Sequence, residues 1–160
     1  MAGTSAASLT GLMFVVISLV NRSDASHYPE GIATYSTPTV THFSLALFLS
    51  AILCAPWHSL EYAAIVILLS GVCGLAYHIG VAYRATHSTV YVPDTEDRVW
   101  YTFVPFVAHI GMFAGAIVLA ILPVTGLFVL AGTILLLIFM GIRNAWDVVT
   151  YLAVRGPQQQ

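Results

Sequence analysis

Gly126-Leu127-Phe128-Val129-Leu130-Ala131-Gly132-Thr133-Ile134-Leu135-Leu136-Leu137-Ile138-Phe139-Met140-Gly141-Ile142 runs without a charge, and Thr133 is its one polar side chain. As a helix at 1.5 Å per residue it covers about 26 Å, close to the hydrocarbon thickness of a bilayer. No soluble fold of this size hides so long a stretch on every face, so the segment reads as a transmembrane helix. Its polar continuation carries the helix on to about residue 154, through Arg143, Asn144, Trp146 and Asp147.

Four more apolar segments precede it, at about 2–20, 40–57, 60–83 and 100–122. The first is diluted at its start by Thr4, Ser5, Ser8 and Thr10. It lacks the positive residue that leads a signal peptide, so it reads as a span. Bulk chemistry agrees: 59% of the 160 residues are hydrophobic and 8% charged, against about 25% charged in a soluble domain. Mean hydropathy is +0.89. The expected fold is therefore all-α, a single domain over residues 1–160 built as a polytopic bundle of about five transmembrane helices. The expected partner is the lipid bilayer, with a homo-oligomer or a membrane complex around it. A net charge of −2 and no lysine exclude the basic surface that nucleic-acid binding needs.

Connections alternate in length. Ala55-Pro56-Trp57-His58-Ser59 and Pro123-Val124-Thr125-Gly126 are short turns that predict two antiparallel hairpins. Two longer polar connections end in helix-start signals: Thr37-Pro38, and Asp94-Thr95-Glu96-Asp97 as a capping box. With five spans, Arg22, Arg84, Arg98, Arg143 and Arg155, which are all the cations, fall on one side. The positive-inside rule makes that side cytoplasmic, with the N-terminus out and the C-terminus in, and the expected location is the inner membrane.

Ionisable groups inside a membrane are costly, and so they point to function. His42, Asn144, Asp147 and Tyr151 form the first candidate. The last three follow i, i+3, i+7 spacing on one stripe, and His42 should lie at about the same depth. Asp147 beside His42 would make a protonatable pair; alternatively Asp147 pairs with Arg143 at i+4 and nothing binds. His78 and His109 are the second candidate. Gly71, Gly74, His78 and Ala82 share a narrow helical face. Pro105 sits one turn before His109 and is expected to leave the Tyr101 carbonyl without its helical partner. If the two histidines face each other they could ligate haem b or pass protons or a metal. If not, each fixes packing by bonding a neighbouring helix. No cofactor and no metal site is otherwise indicated. Cys54 and Cys73 read as small apolar packers, and Gly111 with Gly115 makes a small-xxx-small seam.

The runs Thr10-Gly11-Leu12-Met13-Phe14-Val15-Val16-Ile17, Ser36-Thr37-Pro38-Thr39-Val40-Thr41-His42-Phe43, Leu49-Ser50-Ala51-Ile52-Leu53-Cys54-Ala55-Pro56-Trp57 and Gly141-Ile142-Arg143-Asn144-Ala145-Trp146-Asp147 resemble those of a family of uncharacterised small bacterial multi-pass inner-membrane proteins. The resemblance covers most of the chain and lends no activity. It implies that His42, Asn144, Trp146 and Asp147 belong to the family's motifs, whereas His78 and His109 lie outside them. Family members begin with several more residues before the first helix, which implies a shorter first span here.

No nucleophile and base arrangement or nucleotide-binding loop is visible, so catalysis is not expected. The reading that fits best is permeation of a small solute or ion by an oligomer, with His42 and Asp147 as a cytoplasmic gate. The alternatives are an accessory or assembly subunit of a membrane complex, recognised through the loop of Asp94, Glu96, Asp97 and Arg98, and a haem-binding redox subunit.

Overall fold

In the computed structural model, residues 1–22, 29–87 and 99–155 are described, and every element among them is helical. In chain order they are α1 (Ala2–Arg22), α2 (Pro29–Cys54), α3 (Leu60–His87), a π-helical turn (Val99–Phe103), α4 (Val104–Ile121) and α5 (Pro123–Arg155). Three contain windows long and apolar enough to cross a membrane: Leu60–Gly80, Val104–Ile121 and Pro123–Asp147, with mean hydropathies of 1.9, 2.2 and 2.4. The apolar parts of the other two, Ala2–Val16 and Thr39–Cys54, are shorter. Between 22% and 39% of the residues in the long windows are buried inside the protein. The remaining faces carry Ile65, Leu69, Ile110, Phe128 and Leu135 outward, far more apolar surface than a water-facing helix tolerates.

Helix α2 starts earlier than its apolar run. Pro29 opens it, its fixed φ suiting a first turn that needs no N–H. Thr37-Pro38 is therefore inside the helix rather than at its start. There Pro38 has no N–H to give the Thr34 carbonyl. The expected capping box at 94–97 lies outside the described residues.

The α-helical segment begins at Val104, so Pro105 sits in the first turn of α4 and has no N–H to give the Tyr101 carbonyl. The wider π-helical turn immediately before it forms the entrance to the helix. At the far end, the expected four-residue turn at 123–126 is compressed to Leu122 alone, whose φ of −131° and ψ of 80° break the helix. Pro123 then opens α5 at once. Gly126 makes the sharp reversal possible, because any β-carbon there would run into the Leu119 backbone. At the other hairpin, Trp57 Nε1 donates to the Ile52 carbonyl at 2.6 Å, and Ser59 Oγ accepts from the Glu61 N–H at 3.3 Å, capping α3.

The chain packs as two compact units. One comprises Met1–Phe48 with Leu137–Gln160, the other Leu49–Leu136. In the second, α3 lies along α4, where Gly71 takes Met112 and Gly74 takes His109. Gly111 and Gly115 on α4 receive Thr133 and Leu130 of α5, so the small-residue seam works as a close-packing face. In the first unit Met13 and Phe43 form a buried core that Leu9, Val40 and Ala145 pack against. The Phe43 ring lies flat on Gly141, where a β-carbon would collide with it. Cys54 and Cys73 are both free and exposed.

Candidate functional site

Polar groups with reactive or binding potential collect in two places, one in each unit. In the first unit the buried face of α2 carries Thr39, His42, Phe43 and Ala46, and that of α5 carries Leu137, Met140, Gly141 and Asn144. Both sets follow helical i, i+3, i+4, i+7 spacing, and the contact of Phe43 with Gly141 brings the faces together. Asn144 thus sits one turn beyond the glycine, and His42 is the neighbour of the ring that covers it.

Asn144 is 0% exposed, and among the described residues neither Oδ1 nor Nδ2 has a hydrogen-bond partner. Buried side-chain amides are almost always bonded, because leaving such a group unsatisfied costs roughly 1–3 kcal/mol. Thr39 and His42 are buried beside the same interface and each has an interaction of its own. Asp147 is turned elsewhere: it is half-exposed and forms an ion pair with Arg143 one helical turn back. Tyr151 belongs to the last turns of α5, and its side chain lies outside the described residues. Of the four residues named from the sequence, His42 and Asn144 are buried while Asp147 is held at the surface by Arg143. Thr39 was not singled out, although its spacing to His42, Phe43 and Ala46 marks it as part of the same face.

In the second unit the imidazoles of His78 and His109 stack, with ring centroids 5.5 Å apart and planes 29° from parallel. The Nδ1 of His109 lies 2.7 Å from the Pro105 carbonyl. A carbonyl only accepts, so Nδ1 carries the proton and Nε2 the lone pair. The Nε2 edge is seated on Gly74, where a β-carbon would stand 2.5 Å away. Every other ionisable side chain described in this unit, Glu61 and His58 among them, is exposed.

A bound Nδ1–H is the arrangement that orients a ligating histidine, yet here Nε2 faces a neighbouring helix. Axial ligation would have both imidazoles point a nitrogen at one iron from opposite faces of a macrocycle. Rings lying face against face leave no slab for that macrocycle, so the pair as arranged does not fit haem b. Among the described residues no group of three His, Cys, Asp or Glu side chains could hold a metal ion.

The chain matches no protein-family model, no curated protein and no solved structure.

Proposed function

We propose that this chain is a small multi-pass protein of the bacterial inner membrane that lets a small solute or ion across, working as an oligomer. All five helices would span, N-terminus out and C-terminus in, in the manner of the small bacterial family its motifs resemble. The observation that carries the reading is Asn144: an amide buried in an apolar helix with both polar atoms unused. Polar groups in such places are expensive, and those that persist line substrate or ion pathways. The ion pair of Arg143 with Asp147 leaves the amide, rather than the carboxylate, as the group available to a ligand. Oligomerisation is part of the reading because five helices enclose little lumen alone.

Swelling of vesicles reconstituted with the purified chain tests this, run over salts, amides and sugar alcohols. The reading requires at least one solute to equilibrate faster than in protein-free vesicles. It also requires Asn144→Leu to remove that acceleration, and chemical cross-linking in the same vesicles to trap more than one copy. Rates equal to protein-free vesicles for every solute would end it.

A further inference from the structure

Building on that reading, we infer that the solute Asn144 serves is small, uncharged and both a donor and an acceptor of hydrogen bonds, of the amide or urea type. The side chain has two complementary demands. Oδ1 is open to a donor and Nδ2 to an acceptor, and both are sealed away from solvent. A metal cation or ammonium ion satisfies Oδ1 alone and presses its charge against the amide hydrogens. An anion satisfies Nδ2 alone. A primary amide answers both at once, since its own N–H and C=O sit side by side.

Electrostatics points the same way. Among the described side chains of this unit the ionised groups are Arg143 and Asp147, and they neutralise each other across one helical turn. Among the described side chains no net charge is left beside Asn144, and an uncompensated ion in such a site is costly.

The same unit also carries an apolar groove near this face. An apolar groove of about 230 Å³ runs between Leu12, Met13 and Val16 of α1 and Ile142 and Trp146 of α5, with Phe43 in its wall. The same ring lies on Gly141, one turn from Asn144.

The experiment uses the full chain in phosphatidylcholine vesicles, with stopped-flow light scattering after gradients of acetamide, urea, sodium formate and potassium chloride. Acetamide and urea should equilibrate on the order of tenfold faster than in protein-free vesicles, the factor that recovered hydrogen bonds supply. Sodium formate and potassium chloride should show no acceleration. Asn144→Leu should return amide flux to the protein-free rate. Asn144→Gln, with the same chemistry displaced by one methylene, should retain part of it; both variants should elute as the parent does, and Asn144→Leu should be no less stable. Accelerated salt flux without accelerated amide flux would overturn the solute class and leave permeation standing. Acceleration of nothing would remove both. Amide flux equal in the parent and in a folded Asn144→Leu would overturn the site.

Discussion

His109 rests the Nε2 edge of its imidazole on Gly74, and a β-carbon at that glycine would stand 2.5 Å from the nitrogen. The ring cannot retreat freely, because its other nitrogen is tied to the Pro105 carbonyl and its face to His78. Gly74→Ala should therefore destabilise the packing of α3 on α4 by about 1–3 kcal/mol, as overpacking does. Gly71→Ala is the matched control. Its β-carbon would meet Met112 Cβ at 3.5 Å, an ordinary contact, and helix propensity favours alanine by about 1 kcal/mol. Unfolding of both variants in detergent decides the matter; equal stability would contradict the seat.

The reversal at Leu122 makes a second pair. Gly126→Ala pushes a methyl into the Leu119 backbone, which has no rotamer to yield. The expected loss exceeds that of Gly74→Ala, at about 3 kcal/mol or more. Gly132 has nothing within 4 Å of the added carbon, so Gly132→Ala should be neutral or gain up to about 1 kcal/mol. Denaturation midpoints measured side by side check the order.

For Asn144 stability and function should move in opposite directions. Asn144→Leu replaces an unsatisfied buried amide by an apolar group of similar size, so the variant should be as stable as the parent or more so, by about 1 kcal/mol. Its solute flux should nevertheless disappear. A variant that lost stability would show that the amide has a partner in the folded chain.

Arg143 and Asp147 are both partly exposed and one turn apart, a geometry worth about 0.3–0.5 kcal/mol. A double-mutant cycle with Arg143→Gln and Asp147→Asn should return a coupling below about 1 kcal/mol that shrinks as salt is raised. A coupling of several kcal/mol would show the pair to be shielded from water.

What the amino-acid pattern could and could not disclose divides along physical lines. The helices at α3 and α5 were legible because an uncharged run of that length has no other stable form, and the facing of Arg143 with Asp147 follows from i, i+4 spacing. The narrow face of Gly71, Gly74 and His78 also pointed correctly toward a close neighbour. The start of α2 was not legible, because hydropathy marks where apolar residues begin and not where backbone bonding begins. The eight residues Pro29 to Ser36 are helical although Ile32 is the one large aliphatic among them. Nor was the π-helical turn before Pro105, which leaves no compositional sign. That Asn144 lacks a partner is a property of three-dimensional neighbours, and spacing shows only that it shares a stripe with Asp147.

The single-residue break at Leu122 has a bearing on biogenesis. With Pro123 following directly and no polar linker between α4 and α5, a ribosome-bound chain has no tether on which to release one helix before the other. The two are expected to insert together as one wedge, and a stop codon or fusion placed between them is expected to strand the first without the partner that covers its glycines.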